Sequence, residues 1–193
     1  MKKIMFNEPF GLQQATFDGT KTMTRRIVPD KTLDKWYEFE EYYRMTAPMN
    51  IPCYIEPMED FLIRHAPYNV GEVVAIAQSY NSFIDHWIDC RLIESAGFRN
   101  KMFVKAERMP HHIEILGRKV ELLQDISDED CLKEGIMYDP KGVAKYGYRI
   151  GEGKSKWYRT PKDAFSSLID KVSGKGTWES NPLVFAYEYK RID

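Results

Sequence analysis

The sequence predicts an α+β fold, a small mixed or mainly antiparallel β-barrel with peripheral helices. Three observations carry that prediction. Roughly six segments have strand character and four or five have helix character, without the strand–helix–strand rhythm of a parallel sheet. Two helix starts are marked by caps, Ser127-Asp128-Glu129-Asp130 and Thr160-Pro161-Lys162-Asp163. The segment from Leu183 to Tyr189 alternates, placing Leu183, Phe185, Tyr187 and Tyr189 on one face of a closing strand.

Taken in order, Ile4 to Phe6 read as a short first strand. Pro9 then tolerates a first helical turn, and Phe10 to Phe17 form a helix that Asp18-Gly19 ends. Residues 30–68 are rich in aromatics, acids and prolines and read as an insertion, with a helix near 33–44 and an irregular return through Pro48, Pro52 and Pro57 that would serve as a lid or as plain surface. Val70-Gly71-Glu72 turns the chain into a buried strand, Val73 to Ala77. A helix is expected within 81–96, carrying Ile84, Trp87, Ile88 and Leu92, and a strand at Met102-Phe103-Val104. Ile113 to Leu116 and Val120 to Leu123 form either a hairpin or one bulged strand. The Ser127 helix stops at Glu134-Gly135, and the Thr160 helix buries Ala164, Phe165, Leu168 and Ile169. Residues 1–193 thus read as a single domain, with a mobile basic loop at about 141–160.

Lysines and arginines number 28 against 29 acids, a net charge of −1, so the chain as a whole does not steer toward a polyanion. Local clusters still can: 141–162 holds Lys141, Lys145, Arg149, Lys154, Lys156, Arg159 and Lys162 against Glu152. Cys53, Cys90 and Cys131 are odd in number and widely spaced, which suits a reducing cytoplasm. With no apolar run approaching ~20 residues, a cytoplasmic protein without a membrane partner is expected. His111-His112 lacks a third ligand at a usable spacing, and Gly151-Glu152-Gly153-Lys154-Ser155 lacks the spacing of a phosphate loop, so neither metal nor cofactor is expected.

The densest chemistry lies in Gly19-Thr20-Lys21-Thr22-Met23-Thr24-Arg25-Arg26-Ile27. If extended, this run puts Lys21, Met23 and Arg25 on one face and Thr22, Thr24 and Arg26 on the other. A lysine pinned behind a helix-ending glycine can be desolvated, which lowers its pKa toward the range of a base. A nearby threonine can then be a nucleophile or anchor a water. Glu134 occupies the last turn of a helix, where its charge opposes the helix dipole, so a cation such as Lys21 is a natural partner. Trp178 would stack on a base or plug the end of the barrel.

In separated blocks the chain resembles the ASCH family of the PUA-like superfamily, particularly its phage- and Bacteroides-type members of about this length. The blocks are Asp18-Gly19-Thr20-Lys21-Thr22-Met23-Thr24-Arg25-Arg26, Tyr68-Asn69-Val70-Gly71-Glu72-Val73-Val74, Met109-Pro110 with Leu123-Gln124-Asp125-Ile126-Ser127 to Glu134-Gly135-Ile136, and Lys175-Gly176-Thr177-Trp178-Glu179-Ser180-Asn181-Pro182. The resemblance implies a PUA-like barrel with a cleft beside the Lys-Thr motif that binds RNA or a modified nucleoside, through Thr22, Arg25, Arg26, Gln78 and Trp178 here. Some compact members are amidohydrolases that deacetylate N4-acetylcytidine. Their lysine, threonine and glutamate correspond to Lys21, Thr24 and Glu134. Where longer relatives have Trp-Val-Arg-Glu, this chain has Ala75-Ile76-Ala77-Gln78, which removes two charges from the implied cleft. A phage or mobile-element accessory protein without catalysis is the third reading.

Overall fold

Local signals hold well near the caps and less well between them. The computed structural model describes residues 1–46, 55–84, 90–151 and 153–193. Strand β1 is only Lys3–Ile4, and helix α1 (Leu12–Phe17) ends just before Gly19, whose φ is 71°. Strand β2 (Met23–Ile27) continues the basic-hydroxyl run, followed by helices α2 (Asp30–Thr46) and α3 (Met58–Arg64). Then come β3 (Val73–Ile76), a single turn α4 (Cys90–Ile93), β4 (His112–Leu122) and α5 (Asp128–Lys133). Strands β5 (Met137–Tyr138), β6 (Tyr146–Arg149) and β7 (Ser155–Tyr158) precede helices α6 (Pro161–Ser173) and α7 (Thr177–Ser180), and β8 (Leu183–Arg191) closes the order.

Five strands form the main sheet in the order β1-β3-β4-β8-β2, with β1 parallel to β3 and the other pairs antiparallel. A second sheet holds β5, β6 and β7. Central β8 is buried on both faces from Val184 to Tyr187, so the main core lies around it. Strand β4 is the bulged single strand, its register shifting between Ile115 and Gly117. Both caps form as predicted: Ser127 accepts the Asp130 N–H and Thr160 accepts the Asp163 N–H, each at 3.1 Å.

The α+β class therefore holds, but no closed barrel is present among the described residues. Strands β1 and β2 are the two edges of the sheet, and no ladder joins them. β1 spends both of its residues on β3. What spans the seam is a side chain, Arg26, whose guanidinium donates to the Met5 carbonyl.

Three further expectations change. Residues 101–103 make a 3-10 turn instead of a strand. The Asn100 carboxamide accepts the Met102 N–H, and Lys3 Nζ donates to the Lys101, Met102 and Val104 carbonyls, so these groups converge on one ammonium and are lost to a ladder. The helix expected within 81–96 shrinks to a 3-10 turn at Tyr80–Ser82 and to α4, because Tyr80 and Asn81 donate their N–H groups to the Gly97 and Phe98 carbonyls. Trp87 and Ile88 of that expected helix lie outside the described residues, as do Pro48, Pro52, Cys53 and Glu152. The basic 141–160 stretch contains the β6–β7 hairpin, held to α6 by Tyr148 and Tyr158, whose hydroxyls both meet Ser167 Oγ. High charge density hid its aromatic alternation.

Within 30–68, Trp36 and Phe61 pack at 5.4 Å between ring centres and join the main core, so α2 and α3 are anchored to the body. At the end of α5, Gly135 has φ 100°, and a Cβ there would lie 3.3 Å from Leu12 Cδ2 and 3.5 Å from Lys21 Cδ. Gly19 also has positive φ but faces open space. Urea unfolding should show Gly135→Ala losing about 1–3 kcal/mol, more than the roughly 1 kcal/mol of Gly19→Ala. Equal losses would mean that the contact with Lys21 and Leu12 is not a constraint.

Candidate functional site

The Lys-Thr run reaches its position through backbone hydrogen bonds. Thr20 and Lys21 donate their N–H groups to the Ala15 carbonyl, closing α1, and Thr22 N–H donates to the Lys133 carbonyl at 2.9 Å. That last bond brings the C-terminal end of α5, and with it Glu134, against Lys21. Lys21 Nζ donates to Glu134 Oε2 at 2.7 Å, to the Glu134 carbonyl at 2.8 Å and to the Met23 carbonyl at 2.7 Å. Lys21 is 2% exposed, and burial holds its pKa below the ordinary lysine value against the opposing pull of Glu134. The carboxylate that sequence placed awkwardly at a helix end is thus matched by a cation, which also satisfies an orphan carbonyl of that helix.

Arg25, on β2, meets the same Glu134 carboxylate and completes the cluster. Its Nη1 donates to Glu134 Oε1 at 3.1 Å, its Nη2 to Asp130 Oδ2 at 2.7 Å and its Nε to Glu121 Oε1 at 2.7 Å. Lys119 Nζ lies 2.8 Å from Glu121 Oε2 and 3.3 Å from Asp130 Oδ2. Three cations and three carboxylates therefore balance. Burial disfavours the Arg25 charge, but Glu134, Asp130 and Glu121 outweigh it and raise its pKa. Burial likewise pushes Asp130 upward, yet Arg25 and Lys119 hold it below the ordinary aspartate value.

Sheet register explains how residues on β2 and β4 meet across β8. Arg25, Ala186 and Lys119 form one cross-strand rung, and Glu121 lies two residues further along β4 on the same face. Ala186 is buried and small, so Arg25 can cross above it to Glu121. Glu121 and Lys119 were not singled out from sequence, and Asp130 was read only as an acid of the Ser127 cap. Their signal was present: Lys119 and Glu121 sit at alternate positions of a strand, and the third acid of the Ser127 cap had another available partner.

A cavity of about 260 Å³ opens in the seam between the sheet edges. It is lined by Lys21, Thr24 and Glu134, by Phe165, Leu168 and Val172 of α6, and by Met5, Phe6, Asn7 and Arg26. Thr24 is 4% exposed, and its hydroxyl has no hydrogen-bond partner among the described residues. The Phe6 ring carries Lys21 Nζ at 5.8 Å and the Arg26 guanidinium at 5.9 Å.

The remaining predicted residues divide. Arg26 reaches the cavity, and Arg25 reaches it with every face of its guanidinium held by carboxylates. Thr22 is half-buried and contributes its backbone. Gln78 is buried, its Oε1 unpartnered among the described residues, and does not line the cavity. Trp178 packs edge-on against Phe165 at 6.1 Å and binds Gln124 and Asp170 through its backbone, outside the cavity. Cys131, on α5, has its thiol pushed up to about 12 by burial and is a poor nucleophile. Among the described residues, no group of three or more His, Cys, Asp or Glu side chains is placed to hold a metal ion, and no helix is long and apolar enough to cross a membrane.

No protein-family model, curated protein or solved structure matches the chain.

Two substitutions test the cluster. Arg25→Met leaves three carboxylates facing two lysines and should cost about 3–5 kcal/mol in chemical denaturation at pH 7. Asp130, whose folded pKa is depressed, stabilises the fold above its unfolded pKa and loses that contribution as pH falls through its folded pKa. The stability gap between wild type and Asp130→Asn should therefore shrink from neutral pH to below about pH 4. A gap that widened toward acid would contradict the assignment.

Proposed function

We propose that the protein is a divergent ASCH-type, PUA-like member that seats a modified nucleoside or similar N-acylated group in the seam cavity and hydrolyses its amide. The observation that carries this reading is the buried Lys21–Glu134 contact of 2.7 Å in a cavity also lined by Thr24, whose hydroxyl is unpartnered among the described residues. Neutral Lys21, favoured by burial, takes the Thr24 hydroxyl proton as Thr24 Oγ1 bonds to the acyl carbon. Arg26, which also lines the cavity, is the available donor to the oxyanion. Collapse breaks the C–N bond, and the amine leaves with the proton returned from Lys21. Water then cleaves the threonine ester, releasing the carboxylic acid and restoring Thr24. Alternatively, Thr24 anchors a water that attacks directly. Glu134 orients Lys21 in both versions.

A second reading is recognition of RNA or a modified nucleoside without turnover. It is favoured by one observation: all three Lys21 N–H directions are already accepted by protein oxygens, as in a structural ammonium. A phage or mobile-element accessory role is compatible with this second reading.

The test is acetate release from N4-acetylcytidine and other acylated nucleosides. Thr24→Val, similar in shape, should lose about 10³-fold or more in kcat while keeping its melting temperature within a few degrees. Because the neutral lysine is the active form, kcat/KM should rise with pH through an apparent pKa below the ordinary lysine value, and Lys21→Met should abolish that limb. Full activity in Thr24→Val would exclude the nucleophile, and absence of turnover with retained binding would favour recognition alone.

A further inference from the structure

The 260 Å³ cavity is smaller than the ~300–1,000 Å³ usual for a ligand site, so a nucleoside-sized ligand seated there extends beyond it. The direction of extension is defined. A second cavity of about 650 Å³ shares Met5, Phe6, Asn7, Arg26 and Val172 with the first, and its outer wall is Arg99-Asn100-Lys101. Lys101 opens the turn that Lys3 fixes through three carbonyls and Asn100 caps it, with Arg99 immediately before the cap, so the backbone of the cap and turn is held before any ligand arrives. Lys101 is also held, donating to the Phe6 carbonyl at 2.8 Å and to Glu8 Oε1 at 2.7 Å. Arg99 is exposed and meets no carboxylate among the described residues. Among the described residues that line it, Arg26, Arg99 and Lys101 thus face Glu8 alone, leaving this lining net positive in a chain whose overall charge is −1.

We infer that the outer groove is a phosphate subsite, with Arg99 as its principal donor and Lys101 and Asn100 beside it, and that the ligand's reactive group lies in the inner cavity while a phosphate attached to the same molecule lies on Arg99. The inference rests on the proposed nucleoside reading and narrows it: the ligand is a nucleotide, free or within a strand. An arginine with open donors takes a phosphate bidentately, whereas the saturated guanidinium of Arg25 cannot. The basic β6–β7 hairpin is not needed for this step.

The experiment compares N4-acetylcytidine, its 5′-monophosphate and a trinucleotide with acetylcytidine at its centre. Turnover is measured with the wild type, and affinity by titration calorimetry with Thr24→Val, both at low salt. The phosphorylated ligands should be preferred by about tenfold or more, and the preference should fall as salt rises. Arg99→Ser should collapse the preference to within about twofold with an unchanged circular dichroism spectrum, whereas Lys154→Ser in the β6–β7 turn should keep it. A monophosphate preferred as strongly as the trinucleotide identifies a free nucleotide, and a stronger trinucleotide identifies a strand; both support the subsite. Equal use of nucleoside and nucleotide, or a preference undiminished in Arg99→Ser, overturns it. An Arg99-dependent preference in binding with no turnover of any ligand keeps the subsite and rejects amide hydrolysis. Turnover without preference does the reverse.

Discussion

The structure depends on one buried electrostatic constraint, the requirement that Glu134 be neutralised where α5 ends. Lys21 and Arg25 meet that requirement from β2, and Arg25 extends it to Asp130 and to Glu121 on β4. Helix, edge strand and sheet interior are thereby fixed to one another by directional bonds. Apolar packing alone would hold them less specifically. Such a cluster adds little net stability over well-packed hydrophobic residues, because desolvating the charges costs about as much as their attraction returns. Its effect is geometric. It fixes the ammonium, the carboxylate and the Thr24 strand in one arrangement, as a site with preorganised groups needs.

The cavity is a consequence of incomplete sheet closure. A two-residue β1 cannot ladder with β2, so the edges remain apart and the Arg26 side chain spans them. α6 supplies the apolar wall through the same face that the Thr160 cap and the 3.6-residue period defined. Residues 30–46 and 55–68, read from sequence as a possible lid, do not line this cavity. They extend the core through Trp36, Phe61 and Leu62.

Lys21 also illustrates how a single group can serve structure and chemistry together. As an ammonium it has three acceptors and is a full structural partner. Burial lowers the cost of losing its proton, and Thr24, whose hydroxyl carries no partner among the described residues, lines the same cavity. The outer groove differs in kind: its exposed Arg99 has no carboxylate partner among the described residues, while Lys21 and Arg25 are saturated.

The sequence by itself determined what short-range physics controls. The Ser127 and Thr160 caps and the helix end at Gly19 follow from neighbours a few residues apart, whereas the choice between a hairpin and a bulged strand at 113–123 was left to the pairing with β8. It also marked Lys21, Thr24 and Glu134 as chemistry-bearing, through a desolvatable amine, a hydroxyl and a carboxylate set against a helix dipole. The tertiary structure decided what depends on long-range pairing. Only the fold could place Glu121 and Lys119 across Ala186 from Arg25, move Trp178 and Gln78 away from the cavity, turn 101–103 around Lys3, and leave the barrel open. Each of those outcomes rests on contacts between residues tens of positions apart, where local propensity carries no information and the competition among distant partners selects the arrangement.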